Sequence, residues 1–169
     1  MQPNITKSAM LNGPIVGILL SLKFIFSAQK SDILATLALF ISALIILVLY
    51  KMAIRFRDTH FEGTIKYSQA YNFLFQTYLF GSIISSFVVL IYTSFIDTNY
   101  LAYLLDVLLK MYDSYKFSID DKTLKVLETI YKPAPFSLFN IFSSMIVGIF
   151  WGLILAAFVK KEKTIFEEK

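Results

Sequence analysis

Four amide side chains within apolar segments are the residues whose type and spacing favour a binding site. Gln69, Asn72 and Gln76 lie at positions i, i+3 and i+7, which share one face of an α-helix. Asn12 lies in another apolar segment, where we expect it at a similar depth. Amides donate and accept hydrogen bonds without carrying charge. These residues could therefore line a neutral polar cavity for a small ligand, or they could join helices through hydrogen bonds worth about 0.6–2 kcal/mol each.

Residue patterns that support catalysis or metal binding are scarce. The chain has no cysteine and one histidine, His60, which excludes thiol chemistry and a histidine-rich metal site within one chain. No Asp or Glu falls within the long apolar segments, which disfavours proton-coupled transport and intramembrane acid–base chemistry. We predict no catalytic, cofactor-binding or metal-binding residue and no enzyme. A weaker alternative is a membrane enzyme that uses Arg55, Arg57 and His60 on lipid-linked substrates.

The elements that position these side chains are predicted to be membrane-spanning helices. The 169 residues are 57% hydrophobic and 17% charged, with a mean hydropathy of +0.65, which is too apolar for the surface of a soluble domain of this size. About 20 apolar residues cross a bilayer as a helix. Four segments qualify: 8–28, 33–54, 68–96 and 134–159. We expect the first to be a retained span and not a cleaved signal.

The distribution of basic residues predicts the orientation of these spans. Nine of the 16 Lys and Arg precede span one, follow span four or lie in the last turn of span two and the linker to span three. The positive-inside rule then places both termini in the cytoplasm. The net charge of +4 fits this topology better than nucleic-acid binding. Lys23, near the outer end of span one, is expected to extend its ammonium group to the membrane interface.

Two connecting segments are long enough to have structure of their own. The cytoplasmic loop 55–67 is predicted to form a small turn around Glu62 and Gly63. The outer segment 97–132 is predicted to form a helical hairpin whose second helix starts at Ser118. Leucines spaced for one helical face make its first helix amphipathic: Leu101, Leu104, Leu105 and Leu108. This hairpin either docks a protein partner or lies on its own helices or on the bilayer.

Small residues recur every fourth position in two of the spans. In span four they are Ser144, Gly148, Gly152 and Ala156, and in span one they are Gly13, Gly17 and Ser21. Such ridges let the backbones of two membrane helices approach closely. A ridge of this kind can form a homodimer, but a matching ridge in the same chain favours packing of span four on another span of its own bundle, with span one as the expected partner. The fold class predicted is an all-α, integral membrane four-helix bundle.

Dispersed sequence stretches resemble a known family. They are NGPIVGILLSL in span one, FRDTHFEGTIKYSQAYNF before span three, YTSFIDTNYLAYLLD after it, and KPAPFSLFNIFSSMIVGIFWGLILAAFVKKEK at the end. In order and spacing they resemble the small four-span inner-membrane proteins of the Bacteroidetes grouped as domain of unknown function family 4199. The resemblance implies a membrane location and four helices, and it implies no activity.

The function predicted is that of a multi-pass membrane protein without enzymatic activity. It would serve as a structural, assembly or accessory subunit through helix contacts and the outer segment. The alternative is a small carrier or channel whose path is lined by Asn12, Gln69, Asn72 and Gln76 near the cytoplasmic side. The expected partners are membrane lipids and a protein that binds segment 97–132. No cofactor and no nucleic acid is expected, and the oligomeric state stays open.

Overall fold

The structure, a computed structural model, describes residues 4–29, 31–115 and 119–161, and it is all-α. Six α-helices follow one another: α1 (Ile5–Ala28), α2 (Asp32–His60), α3 (Tyr67–Ile91), α4 (Tyr100–Ser114), α5 (Asp121–Ile130) and α6 (Pro133–Val159). A π-helical turn, Tyr92–Ile96, continues α3. Four of these helices are long and apolar enough to cross a membrane: α1, α2, α3 with its π-turn, and α6. The prediction of four apolar spans is therefore confirmed.

The α3 helix makes the main helix contacts, because both α1 and α6 pack on it. A Cβ placed on Gly13 would lie 2.6 Å from Cβ of Phe80, and one on Gly17 would lie 2.9 Å from Cβ of Ile84. Because the residue numbers of the contacting pairs rise along both helices, α1 and α3 run in the same direction. Along α6 the order is reversed, since Gly148 faces Tyr78 and Gly152 faces Tyr71. The α6 helix therefore runs antiparallel to α3.

The expected partner of span four was wrong. We predicted that the ridge on span four would pack on span one, but Gly148 and Gly152 face aromatic rings of α3, those of Tyr78 and Tyr71. The ridge on α1 faces α3 as well, from another side. Small residues along α3 make both approaches possible, since Gly81, Ser82, Ser85 and Ser86 are all buried. The physical reason is that a ridge admits any close neighbour, including a flat ring, and does not select another ridge.

The connection between α2 and α3 is shorter than the loop predicted for residues 55–67. The α2 helix continues to His60, and the chain then turns at Glu62 and Gly63, whose φ angles are 52° and 83°. The backbone N–H of Ile65 donates to the carbonyl of Lys161 over 2.8 Å, and the reverse bond is 3.1 Å. This connection therefore pairs with the segment that follows α6. We call this end of the helices, which carries Lys66 and Lys160, the basic end.

A second cluster of buried side chains holds the opposite end, where α1 ends and α4 begins; we call it the α4 end. The rings of Phe24, Tyr92 and Tyr100 contact one another edge to face, with centroids 5.4–6.0 Å apart. The amide of Gln29 donates to the hydroxyl of Tyr92 over 3.3 Å. Leu101 is buried in the same cluster. These contacts fix the start of α4 against the end of α1, as edge-to-face aromatic groups commonly do.

The outer segment contains the two predicted helices, with shifted boundaries. The α4 helix follows Asn99, one of the residues that can cap it, and α5 begins at Asp121. The predicted start at Ser118 lies outside the described residues. Among the described helices, α5 contacts α6, which follows it directly. Pairing of α4 with α5 as a hairpin stays a prediction.

Candidate functional site

The four amides of the predicted cavity differ in their hydrogen-bond partners and in their burial. Asn12 donates from Nδ2 to the carbonyl of Ser8 over 2.8 Å, within its own helix. Gln69 accepts at Oε1 from the backbone N–H of Lys66 over 3.1 Å, which caps the start of α3. Asn72 is exposed on the outer side of α3. Two of the four side chains thus serve the backbone of their own segment, and the polar cavity stays a prediction.

Gln76 differs from the other three amides. Its Oε1 atom is buried and has no hydrogen-bond partner among the residues that the structure describes. A buried amide oxygen without a donor costs about 1–3 kcal/mol, and in an apolar membrane helix no bulk water is at hand to replace that donor. Among the four amides of the predicted set, Gln76 is therefore the one whose buried oxygen lacks a donor within the described part of the chain.

Polar side chains elsewhere in the long helices are mostly satisfied by their own backbone. The hydroxyls of Ser21, Thr77 and Thr93 donate to carbonyls four residues earlier at 2.7–2.9 Å. Such bonds remove the cost of placing a hydroxyl in lipid without joining two helices. Asn140 is one of the exceptions, since its Nδ2 donates to Oγ of Ser86 over 2.9 Å and so links α6 to α3.

The charged residues near the end of α2 do not converge on one point. Arg55 and Arg57 are two positions apart, about 200° around a helix, so they project to opposite sides. The guanidinium of Arg57 lies 2.8 Å from Oδ1 of Asp58 and donates to the carbonyl of Val159 over 3.2 Å. His60 is exposed, with its ring centroid 4.9 Å from that of Phe56. Arg57 thus caps the last turn of α6, where the helix dipole favours a cation.

The position of Arg57 carries information that sequence reasoning missed. The residue was counted as one of several basic residues that set orientation, together with its neighbours in the linker. In the structure it bridges 102 positions of sequence to reach Val159. No local pattern marks it, because a helix end accepts any nearby cation and its partner depends on the tertiary arrangement.

The surface of α4 becomes more open along the helix. Leu101 is buried, and the other members of the predicted stripe are half-buried: Leu104, Leu105, Leu108 and Tyr112. Near the end of the helix an open apolar groove of about 380 Å³ is lined by Leu108, Met111, Tyr112 and Tyr115. Met111 is 52% exposed. The last turns of α4 thus present apolar side chains outside the four long helices.

The described residues contain no group of three or more His, Asp or Glu side chains placed to hold a metal ion. At the α4 end, burial and then the neighbouring Tyr92 and Asp97 raise the pKa of Tyr100. This tyrosine therefore keeps its proton at neutral pH and acts as a packing residue in its cluster. The features that could bind another molecule are the unpaired amide oxygen of Gln76 and the apolar groove on α4.

Comparison with known proteins identifies a family and no activity. The family model described as "Protein of unknown function (DUF4199)" matches residues 11–161, which is most of the chain. The chain therefore belongs to this family, as the resemblance indicated. No curated protein and no solved structure matches it. The long apolar helices make it a membrane protein of unknown activity.

Proposed function

We propose that this family member is a non-enzymatic protein of the bacterial inner membrane that acts as an accessory or assembly subunit. The observation that carries the proposal is the groove on α4, where Leu108, Met111, Tyr112 and Tyr115 form an apolar surface beyond the long helices. Apolar surface rimmed by polar residues is typical of contact sites for other proteins. The exposed acids Asp106 and Asp113 lie on the opposite face of the same helix.

The arrangement of the long helices supports a passive role over transport. Within the proposed four-helix bundle, small residues let α1 and α6 approach α3 so closely that a Cβ on Gly81 would lie 3.0 Å from the backbone nitrogen of Gly17. Helices in such contact leave little room for a solute between them. Asn12 and Gln69, which would have to line a path, bond to their own chain segments.

The proposed orientation places the basic end in the cytoplasm and the α4 end outside it. The connection between α2 and α3 and the end of α6 share the basic end, as the bonds between Ile65 and Lys161 require. Positively charged residues at one end of a set of spans favour the cytoplasmic side. The orientation is a property of the whole molecule, because reversing one span would require reversing all four.

Cysteine labelling tests the orientation, because the natural chain has no cysteine and any introduced thiol is unique. Thr64→Cys marks the basic end and Asp113→Cys marks α4. We expect a membrane-impermeant maleimide to label Asp113→Cys in intact cells and Thr64→Cys only after permeabilisation. The reverse pattern would refute the orientation.

Photocrosslinking tests the partner surface. A photoreactive phenylalanine analogue at Met111 lies in the α4 groove, whereas the same analogue at Asp113 lies about 160° around the helix and serves as the control. We expect one discrete protein adduct from Met111 and none from Asp113. Equal adducts at both positions, or only lipid adducts at Met111, would remove the support for a docked partner.

The carrier or channel alternative keeps one supporting observation, the unpaired Oε1 of Gln76. Swelling of liposomes that contain the protein, in solutions of urea or neutral polyols, measures passage of small neutral solutes. The carrier hypothesis expects faster swelling than in empty liposomes and loss of the difference in Gln76→Leu. If the protein has no effect on swelling and Gln76→Leu only makes the fold more stable, Gln76 is a structural residue and the alternative fails.

A further inference from the structure

An open groove between α1 and α2, at the α4 end, contains a lysine and a carboxylate that do not pair with each other. The groove has a volume of about 510 Å³, and its polar lining includes Lys23, Ser27, Asp32 and Thr36. Two ion pairs occur among the described residues, Arg57–Asp58 and Lys110–Asp106, and neither uses a charge of the groove. Within the same described residues, no hydrogen bond occupies the Lys23 ammonium group or the Asp32 carboxylate.

The two charges lie at different depths along the helices. Lys23 is five residues before the end of α1, or about 7.5 Å at 1.5 Å per residue. Asp32 is the first residue of α2, on the other side of the turn. In a membrane, Lys23 would therefore lie deeper, nearer to the acyl chains of the surrounding leaflet. Asp32 would lie nearer to water. Lysine at this depth extends its ammonium group toward the phosphate level.

The rest of the groove continues toward the middle of the helices and becomes apolar. Ala38 and Leu39 line it below Lys23 and Thr36. Ser42 lies at its deepest part, where its hydroxyl is already bonded to the carbonyl of Ala38 over 2.9 Å. Ten residues of helix separate Asp32 from Ser42, which is about 15 Å. The groove is thus long enough for a lipid headgroup and the first part of an acyl chain.

From this order of charges we propose that the groove binds a zwitterionic phospholipid whose headgroup carries a primary ammonium group, as phosphatidylethanolamine does. Its phosphate lies next to the acyl chains and would meet the Lys23 ammonium group. Its own ammonium group lies nearer to water and would donate hydrogen bonds to the Asp32 carboxylate. Hydroxyls of Ser27 and Thr36 stand beside this path and offer further hydrogen bonds.

The charge pattern separates this lipid from the two other common headgroups. An anionic headgroup such as phosphatidylglycerol supplies a phosphate for Lys23 but places no cation near Asp32. A trimethylated ammonium, as in phosphatidylcholine, is positive but has no N–H to donate. Hydrogen bonds that involve a charged group contribute about 1.5–3 kcal/mol, which corresponds to roughly a tenfold or larger preference.

Native mass spectrometry of the full-length protein tests the proposal. The protein is released from nanodiscs that contain equal amounts of phosphatidylethanolamine, phosphatidylcholine and phosphatidylglycerol with the same acyl chains. We expect the wild type to retain phosphatidylethanolamine at roughly tenfold excess over either other lipid. Retention of all three in equal amounts, or preference for phosphatidylglycerol, would overturn the proposal.

Variants of the two charged residues separate their roles. Lys23→Met should abolish retention of every phospholipid, whereas Asp32→Asn should retain lipid but lose the preference for the primary ammonium group. The pair Lys110→Met and Asp106→Asn provides matched controls, because that lysine and aspartate are exposed on α4. These controls should behave as the wild type does.

Asp32 is exposed, so Asp32→Asn should not disturb the packed helices. This variant therefore tests the proposal even if Lys23→Met fails to fold. An Asp32→Asn protein that still selects phosphatidylethanolamine would overturn the proposal. So would equal losses in the groove variants and in the α4 controls, since a general effect of charge would then explain both.

Discussion

The contact between Gly81 on α3 and Gly17 on α1 should tolerate little added volume. A Cβ on Gly81 would lie 2.9 Å from Cγ1 of Val16 and 3.0 Å from the backbone nitrogen of Gly17. Carbon atoms in optimal contact are about 3.5–4.0 Å apart. The methyl group of Gly81→Ala therefore requires a shift of roughly 0.5–1 Å, and a backbone nitrogen cannot rotate away as a side chain can.

The cost of this shift can be estimated from the packing of α1 on α3. Overpacking a filled interior costs about 1–3 kcal/mol, and the shift weakens other contacts along the same pair of helices. Alanine favours a helix over glycine by about 0.8–1 kcal/mol in water, but a membrane helix is already formed before helices associate, so this gain largely cancels. We expect Gly81→Ala to reduce the folded-to-unfolded ratio by roughly 5- to 150-fold.

Gly152→Ala is the matched control, since it adds the same methyl group to another packed membrane helix. Its Cβ would lie 3.3 Å from Cε2 of Tyr71, the far edge of a ring that can move by a few tenths of an ångström. We therefore expect a change of less than about 1 kcal/mol. Val16→Ala combined with Gly81→Ala should restore part of the lost stability, because it removes the 2.9 Å contact and leaves the backbone contact.

Unfolding by titration of dodecyl sulfate into detergent micelles measures these differences. Trp151 is the single tryptophan of the chain and lies on α6, so its fluorescence reports the loss of helix packing. If Gly81→Ala is as stable as Gly152→Ala, the approach of α1 to α3 is looser than described. If the double variant shows no coupling between Val16 and Gly81, the steric explanation is wrong.

Three further predictions concern contacts of α6. Gly148→Ile should destabilise the folded monomer by about 1–3 kcal/mol, because its Cβ would lie 2.8 Å from the Tyr78 ring. If analytical ultracentrifugation instead showed that the substitution dissociates a stable dimer into folded monomers, this prediction would be contradicted. Arg57→Met should cost about 1 kcal/mol and speed amide hydrogen exchange in the last turn of α6, with unchanged exchange there as the contrary result. Asn140→Leu and Ser86→Ala should each cost about 0.6–1.7 kcal/mol, and the double variant should cost no more than one of them.

The number and order of the spans could be predicted because lipid imposes a simple rule on composition. Each long helix had to carry about 20 apolar residues, and the sequence shows four such runs. The helix that contains span two extends to His60, six residues beyond the predicted end of the span at Ile54. Hydropathy does not detect this extension, because a charged helix that leaves the membrane has the same composition as a loop. The helix ends just before Glu62 and Gly63, whose positive φ angles turn the chain.

The partner of each helix could not be predicted from the small residues alone. The pattern on α6 predicted a face for close packing, and Gly148, Gly152 and Ala156 are buried. It did not indicate what would fill the space above that face. Tyr78 and Tyr71 fill it, and a tyrosine in a membrane helix is equally compatible with the lipid interface. Partner choice depends on the shape of two surfaces together, which a single helix does not encode.

The contrast between α3 and α2 suggests where selective constraints differ within this protein. Ten residues of α3 are buried, and glycine or serine supplies four of them, so its sequence is restricted by two neighbours at once. The α2 helix instead exposes large apolar side chains, among them Leu39 at 72% and Phe40 at 69%, which in a membrane would contact lipid. Leu, Ile, Val and Phe are nearly interchangeable at a lipid-facing position, whereas a glycine against a neighbouring backbone, such as Gly81, tolerates no larger residue at low cost. Substitutions to other large apolar residues should therefore be tolerated along most of α2. The polar residues of α2 near the α1–α2 groove should form the exception if lipid recognition takes place there.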